Sequence, residues 1–366
     1  MHKRSMLSIL GTRSWQRWLP PFLESNLYEL GVIWDEGEAV DINKILAEKP
    51  EVVVFLSHQE TQYRDARATR NLIARGYGGT VICNTQAVVD LAFDKNAMAR
   101  IGAEVHGLTP IPNLYFETAE DALLNGDGRL FLSKRNDGTE GKGMHYFDAP
   151  DQLHSALPYG SNDEILIQEF LEGEELSVNV VCTGSEVALY PIVSKGNTRF
   201  DGVHPSLRMR TCPAKLPKAI EDKVLRCSAE YMARIEHQGI AELEFILSGD
   251  RLYFLEINPR LAATMRLSTV VTGRSLFADY FAWAGGHPLQ AGPVPARAAG
   301  AEWVLPGADP AHVQKVVSQH DQVWCSTNRI TAAAPNETDL ELKIAELSHV
   351  LSATISSAAT DASKTT

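Results

Sequence analysis

Two runs of alternating polar and apolar residues face each other within residues 239–260, GIAELEFILSGDRLYFLEINPR. Leu243, Phe245 and Leu247 alternate with Glu242, Glu244 and Ile246. Beyond Ser248-Gly249-Asp250, Leu252, Phe254 and Glu256 alternate with Tyr253, Leu255 and Ile257. Period-two alternation interrupted by Gly and Asp, which tolerate positive φ, predicts two strands joined by a hairpin turn. Glu244, Glu256 and Asn258 then stand where an apolar strand face is expected. Register decides whether they meet. With a three-residue loop, Gly249-Asp250-Arg251, Glu244 lies opposite Glu256 and Asn258 shares their face. A two-residue loop sends Glu256 to the other face unless a bulge restores it. Like charges opposed across a ladder repel, so strands this apolar are expected to keep such a pair for a cation. Two carboxylates and an amide oxygen suit Mg²⁺ or Mn²⁺ shared with phosphates. The competing reading is a solvated edge-strand face.

Upstream, residues 6–10 form a short apolar strand running into Gly11-Thr12. Residues 41–48 (DINKILAE) read as a helix with an Asp N-cap. The β-branched run 51–57 (EVVVFLS) reads as a buried parallel strand. Helical spacing over 61–75 is stopped by Gly76 and Gly78-Gly79, and 80–83 is another strand. Strand-helix-strand alternation predicts an open parallel α/β sheet. No G-x-G-x-x-G follows the first strand, which argues against dinucleotide binding. Further along, a helix over 86–101 contains Asp94-Lys95, and LTPIPNLYF (108–116) links it to strands at 129–133, 165–170, 176–182 and 187–193. Residues 219–237 form an amphipathic helix with Ile220, Val224, Cys227, Tyr231 and Ile235 on one face. A helix over 274–283 precedes Gly285-Gly286, which ends that domain. From 298 a smaller module offers strands near Trp303 and Trp324 and a helix through 340–351. The small, polar ending ISSAATDASKTT is expected to be disordered.

A length of 366 residues predicts two or three domains. The formal net charge of −12 argues against broad binding to nucleic acid or anionic membrane. It also makes local basic clusters informative. The five cysteines form no C-x-x-C and none sits near a His at zinc spacing, so thiols in a reducing, cytoplasmic setting are expected. MHKRSMLSILG is basic and then apolar, but the apolar run is short for a signal peptide and reads better as the first strand. No segment reaches membrane-span length.

Two loops carry candidate chemistry. After Lys134-Arg135 comes NDGTEGKGM, with Gly138, Gly141 and Gly143. Such a loop can turn successive backbone N–H groups into an anion nest, although Gly-rich hairpin loops without ligands are common and the G-K-[ST] of a P-loop is missing. Residues 194–211 lack periodicity and carry Lys195, Arg199, Arg208 and Arg210. They read either as a solvated loop or as a lid closing basic groups on phosphate or carboxylate. The loop's length favours the lid.

These features together resemble the ATP-grasp superfamily. The resemblance covers 90–286 and rests on the Glu244/Glu256 strand pair, the E-I-N-P-R run at 256–260, the Gly-rich loop after Lys134, and Q-E-F-L-E-G-E-E at 168–175. The E-I-N-P-R ending is similar to the carbamoyl-phosphate-synthetase and biotin-carboxylase branch. The resemblance implies a mixed α/β and α+β architecture. A pre-ATP-grasp parallel-sheet domain (1–89) would precede subdomains at 90–167 and 168–290, a C-terminal module (291–351) and a tail (352–366). It implies that Lys95 and Lys134 hold ATP phosphates under Gly138, Thr139, Gly141 and Gly143. Glu169, Phe170 and Leu171 would form the adenine hinge, and Glu175 would meet the ribose. Glu244, Glu256 and Asn258 would bind two Mg²⁺ (or Mn²⁺) with Glu256 bridging, and Arg260 would stabilise acyl-phosphate and transition state, with Arg208 and Arg210 as further catalytic cations. The implied activity is an ADP-forming carboxylate–amine ligase acting on a small-molecule carboxylate and amine, and a homodimer is compatible with it. A bicarbonate-using enzyme and a non-catalytic ATP sensor are the alternatives. Two departures stand out. Leu261-Ala262-Ala263-Thr264 follows Arg260 where biotin-type carboxylases have a Q-V-E-H-like run, and Gly11-Thr12-Arg13 replaces a glycine-rich first turn.

Overall fold

The computed structural model describes residues 4–13, 15–16, 19–24, 26–111, 113–125, 131–135, 145–147, 152, 164–198, 207–305, 309–326 and 329–362. The first sheet comes from β1 (Arg4–Leu10), β2 (Tyr28–Trp34), α1 (Ile42–Glu48), β3 (Val52–Leu56), α2 (Gln62–Ala74) and β4 (Thr80–Ile82). Its strands are all parallel, in the order β2-β1-β3-β4. Every residue of β3 is buried, as its continuous β-branched run requires. Asp41 caps α1 as its sequence position implies, accepting a hydrogen bond from the Lys44 N–H at 3.0 Å. β2 was not legible in the sequence, because Glu29 and Gly31 interrupt its apolar pattern. Strand order reverses at β1, which has β2 on one side and β3 on the other; in open α/β sheets the crevice at the carboxyl ends of such strands takes ligands.

One helix expected over 86–101 is two, α3 (Gln86–Ala92) and α4 (Lys95–Ala103). Asp94 divides them, since its carboxylate accepts from the Ala97 N–H at 2.8 Å and caps α4. A second, antiparallel sheet follows: β5 (Asn113–Phe116), α5 (Ala119–Asn125), β6 (Phe131–Arg135), β7 (His145–Phe147) and β8 (Ile165–Glu169), ordered β5-β8-β6-β7. The Gly-rich loop 136–144, with Gly138, Thr139, Gly141 and Gly143, joins β6 to β7 and lies outside the described residues.

The largest sheet takes in β9 (Glu174–Thr183), β10 (Val187–Leu189), β11 (Val193–Asn197) and β12 (Arg210–Cys212), then α6 (Lys218–Arg234), β13 (Gln238–Ser248) and β14 (Arg251–Asn258). It continues with α7 (Thr264–Thr272), α8 (Leu276–Ala284), β15 (Gly292–Pro293), β16 (Ala299–Val304), α9 (Pro310–Val317), β17 (Val323–Ser326), β18 (Arg329–Ala334) and α10 (Glu337–Ala362). The strand path is β14-β13-β9-β11-β12-β16-β18-β17. The strands near Trp303 and Trp324 therefore extend this sheet through β12. The strand expected over 187–193 is split into β10 and β11. The segment read as an unstructured lid begins in β11 and ends in β12; only 199–206 lie outside the described residues. α10 runs to Ala362 where a disordered tail was expected. Its alanines and serines lack an apolar stripe, but Ala is the strongest helix former.

The two faces of the large sheet differ. One packs Val178, Val180, Leu243, Phe245 and Phe254 against Val224, Cys227 and Tyr231 of α6 and Met98 of α4. α7 lies on the other. All nine of its residues are buried, so it has no polar face for a periodicity to report. Next to it α8 brings Phe277, Tyr280 and Phe281 into one core with Met6, Leu10, Val54 and Leu56 of the parallel sheet. All five cysteines are free thiols, and among the described residues no helix is long and apolar enough to cross a membrane.

Candidate active site

The β13–β14 hairpin turns on two residues, because Ser248 pairs with Arg251; Gly249 takes φ +61° there, a left-handed conformation that favours glycine. The three-residue loop is thus corrected, and the two-residue turn alone would throw Glu256 onto the core face. A bulge restores it. Phe245 pairs with Phe254 but Glu244 pairs with Glu256, so Leu255 is the extra residue. Glu242, opposite Asn258, joins Glu244 and Glu256 on one face. On the neighbouring strand β9, Asn179 and Ser177 stand in register with Glu242 and Glu244.

Cations reach this acidic face from three directions. Lys195 of β11 places Nζ 2.6 Å from Glu244 Oε1 and 3.2 Å from Glu242 Oε1. Lys95, the first residue of α4, places Nζ 3.7 Å from Glu256 Oε2. Arg260 donates from Nη2 to Asn258 Oδ1 at 2.9 Å and from Nη1 to the Leu261 carbonyl at 3.1 Å. Asn258 Nδ2 in turn donates to Glu244 at 3.0 Å and to Glu256 at 3.2 Å. Thr264 Oγ1 donates to Glu242 at 2.6 Å.

These neighbours separate the carboxylates electrically. Burial opposes ionisation of Glu242, yet Lys195, the Thr264 hydroxyl and the Arg210 and Arg260 guanidiniums outweigh it and hold the carboxyl at about 2. Burial pushes Glu244 up to about 8, since the charges on Glu242 and Glu256 offset the help of Lys195. Burial also works against the charge on Lys195, but the two carboxylates raise it above its ordinary value. The face as it stands therefore accommodates added positive charge.

The parallel sheet meets the same place. The Leu261 N–H donates to the Ser57 carbonyl, just past β3, at 3.0 Å. The Asn84 amide, just past β4, donates to the Pro259 carbonyl. The backbone on either side of Arg260 is thereby pinned at the carboxyl ends of β3 and β4.

Of the remaining expected residues, Lys134 lies on β6, and Glu169, Phe170 and Leu171 begin the crossing from β8 of the second sheet to β9 of the largest. The Leu171 carbonyl accepts from Thr198 Oγ1 at 2.8 Å, and that oxygen accepts from the Gly173 N–H at 2.9 Å, which ties this crossing to the end of β11. Glu175 is ion-paired with Arg208 at 2.9 Å. Arg210, read as a lid cation, is instead buried against Glu302 of β16 at 2.9 Å. Arg266 of α7 and Arg329 of β18 share the same carboxylate at 3.0 and 3.1 Å. This packing needs Gly300 on β16, where a Cβ would lie 2.5 Å from Val271 and 2.8 Å from Leu267 of α7.

Sequence reasoning placed Lys195 in a mobile lid and passed over Glu242, Thr264 and Glu302. Glu242 was recoverable, since it has the same strand parity as Glu244. The partners of Lys195 and Glu302 were not, because they come from distant strands.

Residues 80–264, half of the chain, match the family model of the ATP-grasp domain. The carbamoyl phosphate synthase large chain of Thermomicrobium roseum is 29% identical over 203 residues, covering 54% of this chain but 19% of that protein. The chain thus spans about a fifth of that relative's length. The L-amino acid ligase from Bacillus licheniformis superposes with a TM-score of 0.72 at 15% identity, covering 95% of this chain and 98% of that one. The biotin carboxylase domain of Hydrogenobacter thermophilus 2-oxoglutarate carboxylase, solved with MgADP, ADP and bicarbonate, gives 0.69 at 14% identity, covering 92% of this chain and 87% of that one. At these identities the structural likeness is one of fold.

Proposed function

The chain belongs to the ATP-grasp family, and on that premise we propose that it is an ADP-forming carboxylate–amine ligase. The observation that carries this reading is the hairpin register, which gathers Glu244, Glu256 and Asn258 on one face with Lys95 and Arg260 beside them. In the proposed reaction a substrate carboxylate oxygen attacks the γ-phosphorus of ATP. The bond to the β-bridging oxygen breaks and ADP leaves. An amine nitrogen then attacks the acyl carbon, phosphate departs with the C–O bonding pair, and the nitrogen loses a proton to give an amide. No protein nucleophile is required, because phosphate is already a good leaving group.

The roles follow from chemistry. Lys95 and Lys134 supply point charges for phosphate oxygens, and the 169–171 crossing supplies backbone groups for the adenine edge. Glu244, Glu256 and Asn258 offer hard oxygen donors that fit Mg²⁺ or Mn²⁺. Asn258 Nδ2 faces the carboxylates and Oδ1 faces Arg260, so its amide would turn over to offer the oxygen to an ion on that side. The bound ion would neutralise phosphate charge and orient the chain of oxygens. Arg260 has the planar fork to hold a carboxylate and then the developing oxyanion.

The second reading is a bicarbonate-using enzyme. The likeness to carbamoyl phosphate synthase and to the bicarbonate-bound carboxylase domain favours it. Leu261-Ala262-Ala263-Thr264 after Arg260 weighs against the biotin type. The test is an ADP-release screen over amino acids and bicarbonate, with hydroxylamine to trap acyl-phosphate. Hydroxamate formed with an amino acid supports the ligase. ATP consumption with bicarbonate and no hydroxamate with any amino acid refutes it.

A further inference from the structure

The family resemblance implies two divalent ions on the acidic face; we infer that Lys195 stands in for one of them, so that the face takes a single ion with nucleotide. The inference rests on the ATP-dependent reading above.

Lys195 is 5% exposed, and its ammonium lies within hydrogen-bond distance of both Glu242 and Glu244. It arrives from β11, two strands from β13, across β9. Ser177, a small residue, is the β9 residue in register with Glu244. The oxygens it meets are already committed to N–H and O–H donors. Glu244 Oε1 accepts from Lys195 and Asn258, and Glu242 Oε1 accepts from Lys195 and Thr264. A second cation on Glu242 and Glu244 would share those oxygens with a buried ammonium, and like charges at that separation repel strongly where water is excluded. Glu256 and Asn258 lie on the outer strand β14, on the far side of Glu244 from Lys195, where Lys95 stands 3.7 Å from Glu256 and Arg260 donates to Asn258. Lys195 is thus a specificity device for ion number, built from an ordinary strand residue.

The test counts nucleotide-dependent Mn²⁺ by electron paramagnetic resonance on the full chain with a non-hydrolysable ATP analogue. One ion per bound nucleotide is expected in the wild type. Lys195→Met, and the shape-conserving Lys195→Gln, should each bind a second ion at least about tenfold more tightly than the wild type does. Two ions in the wild type overturn the inference and leave the ATP-dependent reading standing. No nucleotide-dependent ion at all overturns both. One ion in the wild type and no gain in either variant overturns the role of Lys195. If neither variant folds, the wild-type count decides.

Discussion

Glu302→Gln is expected to be among the most damaging single-atom changes in this chain. The Glu302 side chain is fully buried. Its Oε1 accepts from Arg210 at 2.9 Å and Arg329 at 3.1 Å; its Oε2 accepts from Arg266 Nε at 3.2 Å, Arg266 Nη2 at 3.0 Å and Thr331 Oγ1 at 3.0 Å. Burial opposes its charge, but the three guanidiniums and the hydroxyl outweigh it and hold the carboxyl below its ordinary value. Gln keeps the shape, removes the charge and turns one acceptor into a donor facing donors. Breaking a buried ion pair costs about 3–5 kcal/mol, because the partner charge is left behind. Spread over 366 residues at about 2.1 cal/mol/K each, the unfolding entropy is about 0.8 kcal/mol/K. The melting temperature should therefore fall by about 4–6 °C if the chain unfolds as one unit. Arg266→Met keeps the bulk that lies over Trp15, whose ring centroid is 5.7 Å from the guanidinium. Combined with Glu302→Gln it should recover part of the loss, with a coupling of at least about 1 kcal/mol. Calorimetry on the four proteins decides. A drop below about 1 °C for Glu302→Gln, or additive losses in the double variant, would refute the shared-carboxylate argument.

Arg260→Ala should lower turnover about a hundredfold, the scale of losing an oxyanion donor. ATP affinity should stay nearly constant and Arg260→Lys should not rescue; unchanged turnover rules out the assigned role. Deleting Leu255 removes the bulge and leaves Glu256 directly opposite Glu244, so nucleotide-dependent Mn²⁺ binding should survive in the deletion as it does in Leu255→Ala. Binding lost in a folded deletion variant contradicts the register argument. Burial pulls His237 down to about 4, although its bond to the Ile240 carbonyl opposes this. The unfolded chain therefore takes up the proton first. That contribution to stability is complete above about pH 6.5, falls between about pH 6.5 and 4 by roughly 3 kcal/mol, and is gone below. Denaturant titrations across that range should show the slope in wild type and lose it in His237→Gln; the same slope in both would exclude His237 as its source.

How much of this was legible in the sequence depends on whether the information was local. Asp41 announced its helix start because a cap bonds three residues on, whereas Asp94, which caps α4 in the same way, was read as lying inside one helix over 86–101. β3 announced itself because a buried parallel strand needs no polar alternation. α7 did not, since TMRLSTVVT is enclosed on all sides and its Arg266 reads as surface until Glu302 is placed beside it. The pairings Lys195–Glu244, Arg210–Glu302 and Arg266–Glu302 follow from a strand order, β13-β9-β11-β12-β16, that no local pattern encodes.

The hairpin shows where that limit falls inside the site itself. Alternation says which residues share a face; it is indifferent to how the chain reaches that arrangement. A three-residue loop, and a two-residue loop with a bulge, both put Glu256 beside Glu244, and the sequence fits either. They differ in what surrounds the pair. The bulge at Leu255 lets Phe254 still meet Phe245, so the apolar core runs unbroken beneath the acids. The acids then need cations from above, and each comes from a separate segment: Lys95 from the start of α4, Lys195 from β11, Arg260 from beyond the end of β14. An acidic ladder is therefore readable from one hairpin, but its charge state is a property of the whole sheet. Any estimate of how many metal ions such a ladder holds has to count the ammonium groups that the rest of the sheet delivers to it.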